Sequence, residues 1–125
     1  MFKSKFEKTV AQGLRKHGIK FQYEPEVVHF VQPEKARKYT PDFRITTKAG
    51  DVLLVETKGK LTIEDRQKLE WVKEQHPKKR LVILFMNASV KIRKNSPTTY
   101  GVWATNAGFT WFDFRRGGIP EEWRI

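Results

Sequence analysis

Asp42, Glu56 and Lys58 are the residues whose types and spacing best suit chemistry on a phosphate. On a strand, side chains at i and i+2 share a face, so Glu56 and Lys58 point together. Lys48-Ala49-Gly50 reads as a three-residue hairpin loop, with Gly50 where a type I turn needs a left-handed residue. Thr47 then pairs with Asp51, and counting outward sets Asp42 opposite Glu56. Directly opposed Cβ atoms lie about 4.5–5.5 Å apart, and two carboxylates that close repel unless positive charge lies between them. A hard divalent cation with oxygen ligands is the natural occupant, and magnesium commonly takes one or two carboxylates plus substrate phosphate. The Thr57 backbone carbonyl is a candidate further ligand. Bound metal lowers the pKa of water and polarises a phosphoryl oxygen, and Lys58 is placed to orient the water or neutralise developing charge.

The pattern of acid, spacer and Glu-x-Lys is loose, and a hairpin end carrying a surface Glu–Lys pair is the competing reading. Against it, Glu56 directly follows the apolar run Val52 to Val55, where a core strand emerges. Glu7 has two readings as well. It is the natural capping-box partner of Ser4, the reading the residues favour by themselves. It also lies about 100° around the helix from Phe6, at the edge of the apolar stripe, where it can bring a third carboxylate to the site.

The elements that must position these residues follow from periodicity. Phe6, Val10 and Leu14 predict a helix from Ser4 to His17, stopped by Gly18. Ile19, Phe21 and Tyr23 alternate as a strand, and Val27 to Val31 form a second extended run. Pro33 to Lys38 reads as a basic loop, and Tyr39 to Lys58 as the hairpin. Thr62 caps a helix over 63–75 that His76-Pro77 ends. Arg80 to Met86 is a central strand, and Val90 to Lys94 a short basic one. Ser96-Pro97-Thr98 opens a last helix stopped by Gly108, Phe109 to Phe114 is a final strand, and 115–118 a turn. With no repeat or linker, residues 1–125 read as a single mixed α/β domain.

Composition narrows the partner. The 125 residues carry 25 Lys and Arg against 14 Asp and Glu, a net charge of +11 that attracts polyanions, nucleic acid first among them. A solubility device or an anionic membrane surface ranks lower, since no long basic amphipathic helix is present. The absence of cysteine excludes disulfides, thiolate metal sites and a cysteine nucleophile. His17, His29 and His76 are too scattered for a zinc site. No small-molecule cofactor and no membrane association are expected, and the chain reads as intracellular. Lys91, Arg93 and Lys94 are the best local candidates for phosphate contacts. Trp71, Trp103, Trp111 and Trp123 read as core or interface anchors rather than base-stacking platforms.

Pro41-Asp42-Phe43 followed by Glu56-Thr57-Lys58-Gly59 resembles the PD-(D/E)XK nuclease superfamily. More closely, the chain resembles the phage endonuclease I family of Holliday-junction resolvases. Gly18 to Phe21, Tyr23-Glu24, Tyr39 to Phe43, Val55 to Gly59, Asp65-Arg66 and Glu74 to Pro77 carry that likeness. Ser96 to Thr98, Tyr100-Gly101, Ile119-Pro120 and Glu122-Trp123 continue it in the same order. It implies a restriction-endonuclease-like fold, a central mixed sheet flanked by helices. It implies that Asp42 and Glu56 bind Mg²⁺ or Mn²⁺, that Lys58 assists hydrolysis, and that Glu7 is an active-site carboxylate. It also implies a homodimer that exchanges segments, with 19–31 as the bridge and Glu7 drawn from the other chain. The expected substrate is branched DNA, cut in paired nicks in the cytoplasm of an infected bacterial host. The expected phosphate contacts are Lys3, Lys5, Lys35, Arg37, Lys38 and Lys60, besides Lys91, Arg93 and Lys94. The alternatives are a nuclease directed to duplex or nicked DNA, and a non-catalytic DNA-binding module.

Overall fold

The computed structural model describes residues 2–32 and 35–124. Helix α1 (Lys5–Lys16) is followed by strand β1 (Lys20–Tyr23) and a hairpin of β2 (Val28–Gln32) and β3 (Lys35–Tyr39). Strands β4 (Phe43–Thr46) and β5 (Val52–Lys58) precede α2 (Ile63–Gln75) and β6 (Leu81–Phe85), then α3 (Tyr100–Asn106) and β7 (Thr110–Asp113). A 3₁₀ turn at Glu121–Trp123 was not foreseen from the sequence. The main sheet runs β1-β4-β5-β6-β7, antiparallel on the β1 side of β5 and parallel on the other, which is the expected mixed sheet.

Strand alternation divides the core in two. Leu53, Val55, Val82 and Leu84 join Val10, Ala11 and Leu14 of α1 on one face, with Trp123 and Ile119 beside them. Leu54, Ile83 and Phe85 point the other way, toward Leu69 and Val72 of α2 and Tyr100, Trp103 and Ala104 of α3. Since Glu56 and Lys58 follow Leu54 at intervals of two, they belong to the α2 face.

Several boundaries were legible. Ser4 Oγ accepts the Glu7 N–H at 3.0 Å, but the Glu7 carboxylate accepts from the Lys3 N–H rather than returning to Ser4, so the capping box is only half formed. Thr62 caps α2, and Asp65 completes a full box with it. Gly50 has φ +90°, and Thr47 N–H donates to Asp51 at 2.9 Å, as the turn demanded.

Two readings are corrected. The expected basic loop at 33–38 is largely strand, since 35–39 pairs with β2 from Gln32↔Lys35 to Val28↔Tyr39. Tyr39 of this strand and Val28 and Phe30 of β2 insert their side chains into the α2 core, an apolar anchor that the run of cations masked. Pro33, Glu34 and the Lys35 side chain lie outside the described residues. The expected strand at 90–94 makes only an isolated bridge, Lys91↔Thr99, because the chain folds back on itself before α3, whose cap is Thr99 rather than Ser96 to Thr98.

Close packing makes one glycine sensitive. A Cβ on Gly101 would lie 2.7 Å from the rigid indole of Trp111. Gly101→Ala should therefore destabilise the protein by about 1–3 kcal/mol, despite alanine's better helix propensity, as measured by urea denaturation.

Candidate active site

The hairpin register continues from Phe43↔Val55, so Asp42, just beyond β4, faces Glu56 near the end of β5. Thr57 fixes Asp42: its N–H and Oγ1 both donate to Asp42 Oδ2, at 2.9 and 2.8 Å. Glu56 is buried, and its Oε1 accepts the Tyr39 hydroxyl proton at 2.7 Å. Lys58 Nζ lies 3.2 Å from Glu56 Oε2 and 3.3 Å from Asp65 Oδ1. The three residues singled out from the sequence therefore converge.

Electrostatics mark the site. Burial, then the charge of Glu56, pushes the Asp42 carboxyl up to about 7, although the two Thr57 donors pull it back. Burial also raises Glu56, with Lys58 and Tyr39 compensating in part. For Lys58, burial alone favours the neutral amine, but Glu56 and Asp65 outweigh it and the ammonium persists. Burial, with the Glu56 charge next, holds the Tyr39 hydroxyl protonated, so it remains a donor.

A buried carboxylate, Glu56, and a half-buried one, Asp42, that repel each other form a donor set short of positive charge. A hard divalent cation would relieve that repulsion, so the residues fit a Mg²⁺ or Mn²⁺ ion held by Asp42 and Glu56. Among the described residues no group of three acidic or histidine side chains is close enough to hold a metal. Glu7 is near enough only to add a small push to the Asp42 carboxyl. Its Oε1 is engaged by the Tyr23 hydroxyl at 2.5 Å and by the Lys3 N–H. Within one chain it is therefore a neighbour of the pair, on the α1 face.

A family model described as phage endonuclease I matches residues 1–124. The chain belongs to the phage endonuclease I family. It is 38% identical over 122 residues to Endonuclease I of Escherichia phage T7, covering 98% of this chain and 77% of that protein. Endodeoxyribonuclease 1 of Enterobacteria phage T3 is 37% identical over 112 residues, covering 90% and 71%. The converged acidic pair and lysine thus sit in an endonuclease, and the expected family is the one shown.

The DNA-contact candidates scatter. Lys5, Lys38, Lys60, Lys91, Arg93 and Lys94 are exposed. Arg37 of β3 is exposed as well, and the Lys3 ammonium is paired with Glu24 at 2.8 Å. No helix among the described residues is long and apolar enough to cross a membrane. Sequence reasoning missed the roles of Tyr39 and Asp65, and gave Thr57 only a carbonyl ligand role. For Asp65 a signal was present, because Thr62-x-x-Asp65 is a capping-box pattern at the start of a helix. No local signal aims Tyr39 at Glu56; that needs β3 to fold over the sheet.

Proposed function

We propose that this endonuclease hydrolyses phosphodiesters of branched DNA, four-way junctions in particular, in a reaction dependent on Mg²⁺ with Mn²⁺ as substitute. The observation that carries the reading is the mutually repelling pair of half-buried Asp42 and buried Glu56, with Lys58 Nζ 3.2 Å from Glu56. A bound cation would supply a more acidic water and a polarised phosphoryl oxygen. Asp42, oriented by Thr57, and Glu56, oriented by Tyr39, would hold it, and the Thr57 carbonyl would be a further ligand. Lys58 keeps its proton and presents positive charge where the pentacoordinate phosphate becomes more negative. The net charge of +11 favours recognition through phosphates and shape, with Lys5, Lys35, Arg37, Lys38, Lys60, Lys91, Arg93 and Lys94 as contacts.

The active species in this reading is a homodimer in which each site takes Glu7 from the other chain. Exchange of α1 would reproduce the contacts it makes with its own sheet, the crossing being made within 19–31, where Glu24 turns at φ 45° before Pro25. Two such sites suit paired nicks, and the phage origin of the relatives supports an infected bacterial cell as the setting.

The test compares cleavage of a four-way junction and of a linear duplex of the same sequence, with Mg²⁺ and with chelator. Junction-selective, chelator-sensitive cutting is expected, whereas equal cutting of both substrates rejects the junction reading. Binding should weaken steeply with salt, by about 10³-fold or more between 50 and 200 mM if six or more phosphates are contacted. Site sharing has its own readout. Glu7→Ala and Lys58→Ala homodimers should each be inactive, and mixing them should restore cutting, because one site of the heterodimer is intact. If Glu7 serves its own chain, every site in the mixture stays defective.

A further inference from the structure

Lys58 is shared between two carboxylates, of which only Glu56 belongs to the metal-holding pair. The second, Asp65, stands at the start of α2, where one carboxylate does two jobs. Its Oδ2 accepts the Thr62 N–H at 3.0 Å, closing the capping box, while its Oδ1 lies 3.3 Å from Lys58 Nζ. The Thr62 hydroxyl returns the bond, accepting the Asp65 N–H at 3.1 Å. The Asp65 side chain is therefore fixed in direction by the helix terminus, with one oxygen left for the lysine.

We propose that Asp65 is a positioning residue that shares the Lys58 ammonium with Glu56 and holds it at the edge of the metal-binding pair. This rests on the reading of Asp42, Glu56 and Lys58 as the cutting site. Without Asp65, Glu56 is the one counter-charge left within ion-pair distance of the Lys58 ammonium among the described residues, and the ammonium settles on the carboxylate a cation must occupy. A like charge there opposes cation binding, and the ammonium also leaves the position from which it can reach a phosphate. With Asp65 on its far side, Lys58 keeps a counter-charge when Glu56 is engaged elsewhere. The arrangement ties the cutting site to an intact first turn of α2.

The capping and positioning roles separate by mutation. Asp65→Asn keeps a side-chain oxygen for the Thr62 N–H but turns an uncharged amide toward Lys58. Its kcat should fall about 100-fold, the scale of an ångström's misplacement, with KM and melting temperature nearly unchanged. Asp65→Glu retains charge and box and should recover most of the rate. Thr62→Ala breaks the hydroxyl half of the box and should lower the melting temperature while cutting persists.

A second readout does not depend on cutting. In calorimetric titration of the DNA-free protein with Mn²⁺, Asp65→Asn should weaken binding about tenfold, and should have no effect in a Lys58→Ala background. Wild-type cutting and Mn²⁺ affinity in Asp65→Asn would reduce Asp65 to a helix cap. An equal loss of Mn²⁺ affinity with and without Lys58 would make it a remote charge, and either result overturns the proposal. If the wild-type protein neither binds Mn²⁺ nor cuts junctions, the reading of the site itself fails first.

Discussion

Lys58→Ala is expected to reduce cutting of a four-way junction by about 100- to 1,000-fold while leaving the affinity for that junction within about twofold. The asymmetry follows from where the ammonium sits. It is largely buried, 18% exposed, and paired with Glu56 and Asp65, so it adds little to a field built by the other 24 Lys and Arg residues. Ground-state binding is spread over many phosphate contacts, and losing one inner charge scarcely alters it. The transition state differs, because its extra negative charge develops at one place, and a fixed cation there has no substitute. Single-turnover cleavage and a gel-shift titration in Ca²⁺ separate the two quantities. Parallel loss of both would show that Lys58 serves binding rather than the chemical step.

Asp42→Asn should do two opposite things. Cutting should fall by on the order of 1,000-fold, since a neutral amide is a poor partner for a hard cation. The metal-free protein should nevertheless become more stable above neutral pH. The sign follows from the carboxyl's displacement from an ordinary 3.8 up to about 7. Between about pH 4 and 7 the folded chain keeps a proton that the unfolded chain has released. Stability therefore declines as pH rises through that window and stays low above it. The substituted amide carries no charge to repel Glu56, and its oxygen can still accept from Thr57. Asp65 and Asp113 are displaced downward, Asp65 by the Thr62 N–H and Lys58 outweighing burial and Asp113 chiefly by Arg115. Their contributions are complete by about pH 5 and do not vary across most of the window. Melting curves in EDTA at about pH 5.5 and 8 should thus show a decline for wild type that is smaller in Asp42→Asn. An identical decline in both would mean that Asp42 ionises without strain. This pairing of lost activity with gained stability is what a repelling carboxylate pair retained for cation binding should show.

Much of this protein was readable from local rules. The β4–β5 register depended on one turn, and Gly50 supplies its left-handed residue, so Asp42 could be set opposite Glu56 by counting. The i, i+2 rule put Lys58 beside Glu56, and caps at Ser4 and Thr62 marked helix starts because hydroxyl-to-amide bonds span only three residues. Family membership was legible for a different reason, since the ordered motifs run through nearly the whole chain. What tertiary structure alone decided involves partners distant in sequence. Residues 35–39 have the composition of a solvated loop, yet they form a strand because Tyr39 is buried against the α2 face and bonded to Glu56. The contact of Asp65 with Lys58 arises only when α2 is laid across the end of β5, and Glu7 reads as a cap until α1 brings it to Tyr23. Asp42, Glu56 and Lys58 were therefore determined by short-range geometry. Their environment of two partly desolvated like charges, an aimed hydroxyl and a second carboxylate on the lysine came from packing, because desolvation and long-range pairing leave no periodic trace in a single chain.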